Sequence, residues 1–242
     1  MGSQMEIYNF EVTTRDIEGL TDARGDSVKS MLESDYGVQV NNVRVILGYQ
    51  VKSDMSLEQA TRSIYDLFAD PIIEVGNLEN SLLDNKNLFS EAPQIAIKVG
   101  FKPGVTDNAG QAGLDGLRTI FPEISSASQV ATAMTYLFWG VPGDISPNWL
   151  SSKLHNQMIE RSSISDSKDC QKSVWPSLDF PERPKLTQKP SATVNLEVSD
   201  EELIQISEKG LLALNLEEMK AIQENYRDPK VRAARVELGL PE

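Results

Sequence analysis

A glycine-rich stretch is the part of the sequence that comes nearest to a phosphate-binding loop. Its glycines stand at positions 104, 110, 113 and 116. The stretch has neither the G-x-G-x-x-G nor the G-x-x-x-x-G-K-[ST] spacing, which brings backbone amides close to a phosphate. The same residues predict a tight turn at Lys102-Pro103-Gly104 and a helix capped by Asp107 or Asn108. We therefore expect a helix whose small residues let it lie close to a sheet, and no nucleotide site.

The chain has one histidine, His155, and one cysteine, Cys170. His155 falls on the polar flank of a predicted helix, and the sequence identifies no positioned partner for it, which a general base requires. Cys170 lies in a polar stretch with no histidine near it in sequence, so we do not expect a nucleophile. A lone cysteine excludes an internal disulfide, and one cysteine with one histidine cannot form a zinc site. Because Asp-x-Asp calcium spacing is absent as well, the sequence predicts no catalytic, cofactor-binding or metal-binding residue.

Acidic and aromatic groups offer two further candidates. The run Asp200-Glu201-Glu202 is best explained as a first helical turn, where carboxylates meet the positive end of the helix dipole. The aromatic residues Tyr136, Phe138, Trp139 and Trp149 fit an interface, and they fit the packing of a strand against a helix equally well.

The composition is that of a globular protein with an acidic surface. The 242 residues include 23 Lys and Arg against 36 Asp and Glu, which gives a net charge of −13 at pH 7. Such a surface repels a phosphate backbone, so we expect no nucleic-acid partner. No apolar run approaches the roughly 18 residues that would span a bilayer, and no basic-then-apolar signal segment opens the chain. These features predict a protein of the cytoplasm with no membrane partner.

Two similar stretches 85 residues apart indicate an internal repeat: residues 19–25, GLTDARG, align with residues 104–110, GVTDNAG. In each copy an alternating apolar run precedes this motif and a helical pattern follows it. A second strand and a second helix come next. The second helix begins after Ser56 in the first copy, and in the second copy it begins near Pro147 and is predicted to include Met158 and Ile159. The predicted strands lie at residues 7–13, 40–51 and 72–75 in the first copy and at 95–101 and 130–139 in the second.

This pattern predicts an α+β fold built from two small two-layer units, each with helices on one face of a sheet. We assign residues 1–80 to the first repeat and residues 81–164 to the second. Residues 76–94 form a connection long enough for the two units to meet face to face.

The rest of the chain divides at a proline-rich stretch. Prolines at 176, 181, 184 and 190 are incompatible with a regular helix or a central strand, so residues 165–195 are predicted to be an extended linker. Residues 196–242 are predicted to be helical, because Ser199 with Glu202 and Asn215 with Glu218 have the spacing of capping boxes.

Both copies contain sequence that resembles PurS, the small subunit of phosphoribosylformylglycinamidine synthase. Residues 95–107, IAIKVGFKPGVTD, are similar to the opening of that subunit, in which a strand leads into a Lys-Pro-Gly-Val-x-Asp turn. Residues 70–74, DPIIE, are similar to its closing strand. Residues 199–223, SDEELIQISEKGLLALNLEEMKAIQ, resemble the linker segment ahead of the catalytic core in the large synthetase chain, PurL. Together these matches imply two tandem PurS-like sandwiches followed by a helical linker segment.

The resemblance implies the N-terminal scaffold portion of an ATP-dependent ligase of purine biosynthesis. The family converts formylglycinamide ribonucleotide, glutamine and ATP into formylglycinamidine ribonucleotide, glutamate, ADP and phosphate. The implied partners are the synthetase core and the glutaminase module of the same enzyme. ATP and magnesium belong to the parent enzyme, and no position up to Glu242 matches the family's catalytic histidine motif or its glutaminase Cys–His pair. We therefore expect the parent chain to be an enzyme and this fragment alone to be non-catalytic.

Several alternatives stay open from the sequence. A ferredoxin-like pair of regulatory domains that bind an effector between two copies has the same periodicity. Within the PurL interpretation, the chain is a fragment made by design, a cleavage product or a naturally split subunit, and the glutaminase is either fused or separate.

Overall fold

The computed structural model describes residues 5–182 and 193–238. The chain divides into two compact units, Met1–Pro184 and Lys185–Glu242.

The first unit is built on one open sheet of six strands, in the order β3-β1-β2-β5-β4-β6. Every neighbouring pair is antiparallel, and helices accompany the sheet, so the predicted α+β class is confirmed. The strands are β1 (Glu6–Thr14), β2 (Asn42–Ser53), β3 (Glu74–Leu78), β4 (Ile95–Phe101), β5 (Gln129–Trp139) and β6 (Glu160–Ser165).

Residues 5–182 contain five α-helices, and the prediction of a helix after each glycine-containing motif is confirmed. The first, second and fourth begin after a capping Asp22, Ser56 or Ser146, whose side-chain oxygens accept the free amides of the first turn. The helices are α1 (Ala23–Tyr36), α2 (Leu57–Ser63), α3 (Asn108–Ile120), α4 (Pro147–Leu154) and α5 (Ser167–Gln171), and α2 continues as a π-helical turn over Ile64–Phe68.

The sheet consists of two equivalent halves, β1–β3 with α1 and α2, and β4–β6 with α3 and α4. Phe10 pairs with Tyr49 in the first half, and the residues 87 positions later, Ile97 and Tyr136, pair in the second. The halves join through β2 and β5, whose pairing is centred on Leu47 opposite Met134. Exchanging the two halves leaves this pairing unchanged. A local twofold axis through the Leu47–Met134 pair therefore relates the halves.

Each half contributes a helix to the core of the other half. Leu117 and Phe121, at the end of α3, are buried with Phe10 and Val12 of β1 and Phe68. We call this cluster the first core. Neither half can bury its own strands completely without the other, because burial of apolar side chains against a covering layer is what stabilises a sheet of this size.

The second core has the reciprocal composition. Leu32 of α1 is buried with Ile95, Ile97 and Val99 of β4 and with Leu150 of α4. Leu32, Ile97 and Leu150 have no exposed surface. The two halves therefore share both cores.

The opposite face of the sheet is covered by the segments that follow β3 and β6. Leu82, Leu83 and Phe89 from the first segment and Cys170 from the second are buried against Ile46, Ala96 and Leu137 of the sheet. A 3₁₀ turn at Leu82–Asp84 positions the first two of these side chains.

Three predictions about this unit were wrong. The helix expected to include Met158 and Ile159 ends at Leu154, and the chain then forms β6, an edge strand that the sequence analysis missed. The third strand of the first half is β3 at Glu74–Leu78 rather than residues 72–75. The halves meet edge to edge through β2 and β5 rather than face to face, because main-chain pairing of two long strands satisfies the edges that separate sheets would expose.

The predicted linker is described over residues 165–182 and 193–195, since residues 183–192 lie outside the described part of the chain. It begins with the end of β6 and α5. Residues 172–182 have no regular secondary structure. They are held to the sheet by polar contacts: Gln50 donates to the Leu178 carbonyl at 3.2 Å and Lys52 binds Glu182.

The second unit is helical over its described residues. It contains α6 (Asp200–Lys209), α7 (Leu216–Arg227) and α8 (Pro229–Glu237). The capping boxes predicted at Ser199 and Asn215 are both present. Leu203 and Met219 are buried in this unit, whereas Leu211 is 90 % exposed.

Candidate functional site

The glycine-rich stretch forms a joint between helix and strand. Gly104 has φ +87° in the predicted turn, and Asp107 rather than Asn108 caps α3. The Asp107 carboxylate accepts the Gly110 amide at 2.7 Å through Oδ1 and the Thr132 amide of β5 at 2.6 Å through Oδ2. The carboxylate therefore fastens the first turn of α3 to the sheet, and its acceptor positions serve protein amides.

The first half contains the same joint. The Asp22 carboxylate accepts the Gly25 amide at 3.1 Å and the Val45 amide of β2 at 2.7 Å. Asp22 differs from its counterpart by having a cation beside it, since Arg44 Nε lies 3.6 Å from its Oδ2 atom. The sequence motif repeated in the two copies is thus a structural joint used twice.

Glycine is required in both joints by the distance between helix and strand. A Cβ atom on Gly25 would lie 2.1 Å from the Val43 carbonyl oxygen, and one on Gly110 would lie 2.5 Å from the Val130 carbonyl oxygen. The backbone atoms on the strand cannot move aside without breaking the sheet, so these glycines set the depth at which each helix packs.

His155 ends α4 and is positioned by the backbone of that helix. Its Nδ1 atom lies 2.6 Å from the Ser151 carbonyl oxygen, which can only accept, so Nδ1 carries the proton. The Ser151 hydroxyl donates to Ser162 at 2.8 Å. Nδ1 is therefore not free to take a proton from Ser151, and the pair lacks the arrangement of a nucleophile with its base.

Cys170 is buried beneath the second covering segment. Its thiol donates to the Ser165 carbonyl at 3.6 Å, and burial raises its pKa to about 11. At neutral pH the group is a thiol, which is a poor nucleophile and a poor metal ligand.

The acidic candidates begin a helix, and two of the aromatic candidates make packing contacts. Asp200, Glu201 and Glu202 form the first turn of α6, and Glu202 completes its capping box. Phe138 is fully buried in the second core. Trp149 of α4 meets Tyr36 of α1 edge to face, with ring centroids 5.4 Å apart. This contact joins a helix of one half to a helix of the other half.

A shallow cleft of about 250 Å³ lies at the end of β2 and β5, on the face covered by the connecting segments. Arg44 forms one wall: its Nη2 donates to the Thr14 carbonyl at 2.5 Å, and its guanidinium lies 5.5 Å from the centre of the Phe89 ring. Asp16 and Glu91 also line the cleft. Cationic and anionic groups together could hold a small zwitterion, and the cleft contains no group poised for nucleophilic or acid–base chemistry.

The sequence did not point to Arg44. The signal is an arginine that interrupts the apolar run of Val43, Val45 and Ile46, since a charged side chain at such a position is buried only with partners. Its Nε atom is buried and has no hydrogen-bond acceptor within reach. The ion pair with Asp22 therefore offsets the cost of burying this charged group.

Two half-buried tyrosines occupy equivalent positions in the halves. Tyr49 of β2 and Tyr136 of β5 both have pKa values raised above 10, chiefly because burial disfavours the phenolate. Nearby carboxylates, Glu74 for Tyr49 and Glu160 for Tyr136, act in the same direction.

Within residues 5–182 and 193–238 no group of three or more His, Cys, Asp and Glu side chains could hold a metal ion. None of the helices in those ranges is long and apolar enough to cross a membrane. A scan against protein-family models finds no match to the chain, and no curated protein matches it either.

Proposed function

We propose that the chain is the N-terminal scaffold portion of phosphoribosylformylglycinamidine synthase, the ATP- and glutamine-dependent ligase of purine biosynthesis in the cytoplasm. In this role two tandem PurS-like units, followed by the helical linker segment, hold the synthetase core and the glutaminase module together. The fragment itself performs no chemistry, and ATP and magnesium act in the synthetase core.

The observation that carries the proposal is the seam between the halves. The two halves have the same strand order and the same register, and they join through β2 and β5 about the Leu47–Met134 pair. Two PurS-like units that must act as a pair would be joined in this way when a single chain encodes both. The tether then keeps the pair together without depending on protein concentration.

The reciprocal cores give the pair the rigidity that a scaffold needs. Besides the buried contacts, Lys153 of α4 lies 4.9 Å from the centre of the Tyr36 ring of α1, and Arg62 of α2 lies 5.5 Å from the centre of the Phe121 ring after α3. Each is a cation of one half on an aromatic ring of the other. A rigid platform positions attached modules better than two units joined by a flexible connection.

A reconstitution assay tests the proposal. The chain is mixed with a synthetase core that lacks its own N-terminal region, with glutaminase, formylglycinamide ribonucleotide, glutamine and ATP-magnesium, and ADP formation is measured. We expect no turnover by the chain alone, low turnover by the core with glutaminase, and a saturable increase when the chain is added. Unchanged turnover at saturating chain would contradict the proposal.

The cleft at Arg44 favours a second candidate, an effector-binding regulatory module. An amino acid needs a cation for its carboxylate and a carboxylate for its ammonium, and Arg44 lies in one cleft with Asp16 and Glu91. Because a ligand that binds only the folded state raises the unfolding temperature, thermal melts with each amino acid at millimolar concentration separate the two functions. A shift with one amino acid that is lost in Arg44→Met would favour regulation, and no shift would leave the scaffold as the sole candidate.

A further inference from the structure

The sheet ends in two edge strands, β3 in the first half and β6 in the second. Alternate residues of an antiparallel edge strand direct both the amide and the carbonyl away from the neighbouring strand. In the first half the Arg15 amide donates to the Ile73 carbonyl. In the second half the Lys102 amide donates to the Ile159 carbonyl. Odd-numbered residues therefore face the inner strand, and the even-numbered residues of β3 and β6 face outward.

The outward edge of β3 is closed by the chain itself. The Glu74 amide donates to the Asp70 carbonyl at 2.8 Å. The Gly76 amide donates at 3.4 Å to the hydroxyl of Tyr65, which belongs to the π-helical turn after α2. The carbonyl of the last residue of β3 accepts the Asn80 amide at 2.9 Å. Each outward residue of β3 has thus lost one of the two groups with which an added strand would pair.

The outward edge of β6 is open. Its first residue is occupied as in β3, since the Glu160 amide donates to the Asn156 carbonyl at 2.8 Å. At Ser162 and Ile164, neither the amide nor the carbonyl has a hydrogen-bond partner within the described part of the chain. The sequence ERSSIS contains no proline or lysine, and the pairing with β4 has no bulge, although such features commonly protect an edge. Since α4 ends without a π-helical turn, this half has no counterpart of Tyr65.

Both faces of β6 are covered up to this open edge. On one face the Ser151 hydroxyl of α4 donates to the Ser162 hydroxyl at 2.8 Å, and Ile164 packs against the second core. On the other face the Cys170 thiol of α5 donates to the carbonyl of Ser165. A strand that joined this edge alone would leave both of its own faces in water. The strand that arrives already covered on both faces is β6 of a second copy, which carries its own α4 and α5.

We infer that two copies of the chain pair antiparallel through β6 and form a closed dimer in which the two six-stranded sheets are continuous. In the pairing that opposes Ser162 of each copy to Ile164 of the other, all the unpaired amides and carbonyls of these two residues find partners. Ser163 then faces Ser163 of the other copy at the twofold axis, where small side chains allow the close approach of a directly opposed pair.

The geometry of the sheet limits the assembly to two copies. A twofold axis perpendicular to the sheet places α4 of both copies on one face and α5 of both on the other, so each layer continues across the interface. The chain joins its own halves in the same manner, antiparallel and edge to edge, at β2 and β5. Because the interface is isologous and the remaining β3 edges are closed, no third copy can add. The inference rests on the sheet alone and does not depend on the proposed function.

Sedimentation velocity of the intact chain tests whether the dimer forms. Concentrations should extend to about 1 mM, because an interface built around one strand pair is at the small and weak end of the usual range. The salt concentration should be about 0.15 M, which screens repulsion between surface charges more than a Debye length apart. We expect the mean mass to rise with concentration from that of the 26.8 kDa chain towards twice that value. A monomer at every concentration, or growth beyond two copies, would overturn the inference.

Opposite charges at Ser163 test the pairing itself. Ser163→Lys and Ser163→Glu each oppose like charges at the twofold axis, so each variant alone should dimerise at least about tenfold more weakly than the wild type. The Lys variant should be the weaker of the two, because Lys98 lies beside Ser163 on β4. An equimolar mixture should recover the dimer, since opposite charges then meet. Asn77→Lys is the matched control: Asn77 pairs with Glu11 on the closed edge as Ser163 pairs with Lys98, and this variant should dimerise as the wild type does.

Every outcome bears on the inference. Thermal melts verify that the variants fold. A wild-type dimer that Ser163→Lys retains unchanged would place the interface elsewhere, and a mixture of the two charged variants that stays monomeric would refute the pairing about Ser163. If the chain is monomeric and the Ser162 and Ile164 amides become protected from hydrogen exchange only when the synthetase core is added, the occupant of the edge is the core, and the inference is wrong.

Discussion

Replacing Leu117 by alanine tests whether the two halves share their cores. Leu117 lies on α3 of the second half, has no exposed surface, and is buried among side chains of the first half. Removing a fully buried leucine side chain costs about 3 kcal/mol, within a usual range of about 2 to 5 kcal/mol, because the transfer energy is lost and a cavity remains. We therefore expect Leu117→Ala to lower the free energy of unfolding of the first unit by about 3 kcal/mol.

The location of the loss distinguishes shared cores from independent halves. Amide hydrogen exchange of β1, residues 6–14, should become about 100-fold faster in Leu117→Ala, because about 1.4 kcal/mol corresponds to each factor of ten when exchange follows unfolding. Although β1 lies about a hundred residues away in sequence, it contacts Leu117 through the first core. Leu57→Ala is the control, since that side chain is 62 % exposed and its loss should change stability by less than about 0.5 kcal/mol. Unchanged exchange in β1, with faster exchange confined to the second half, would refute the shared cores.

Three other predictions follow from single groups. Cys170, whose pKa is raised to about 11 by burial, should react with a thiol reagent at pH 8 only after unfolding, and prompt labelling of the native chain would contradict its burial. Tyr49 and Tyr136 have folded-state pKa values raised by burial, so their contribution to stability is complete below pH 10 and is lost as the pH rises through the folded-state pKa values. Urea titrations between pH 8 and 11 should show this fall in the free energy of unfolding. The variant with phenylalanine at both positions should show a smaller fall. Gly25→Ala should destabilise the fold by about 3 kcal/mol or more, because its Cβ would lie 2.1 Å from the Val43 carbonyl oxygen and overpacking against a backbone is costly. The control Gly143→Ala, whose Cβ would meet nothing within 4 Å, should melt within about a degree or two of the wild type. Equal melting temperatures of the two variants would refute the close approach of α1 to β2.

The sequence predicted the elements that carry strong local signals. The alternating run at residues 95–101 became β4, and the capping boxes at Ser56, Ser199 and Asn215 begin helices where expected. These features depend on periodicity and on side-chain capping, which act within a few residues.

The sequence did not predict features that depend on tertiary contacts. β6 has the sequence ERSSIS, which lacks apolar alternation because an edge strand is covered on fewer sides, and only its pairing with β4 defines it. The edge-to-edge joining of β2 and β5 was missed for a similar reason: a long apolar strand suits a central position, but its partner cannot be read from its own residues.

The candidate site divides in the same way. The capping role of Asp107 followed from its position before a helix, whereas the contact of its carboxylate with Thr132 did not. The similarity between residues 70–74, DPIIE, and residues 156–160, NQMIE, is visible only once β3 and β6 are known to be equivalent, since three of the five residues differ.

The number of chains in the active complex tests the central claim most directly. If the two halves are one internally paired scaffold, sedimentation equilibrium of the chain with the synthetase core should show one 26.8 kDa chain for each core, and stimulated turnover should saturate at that ratio. Two chains for each core, or no complex at concentrations where the core is active, would contradict the account.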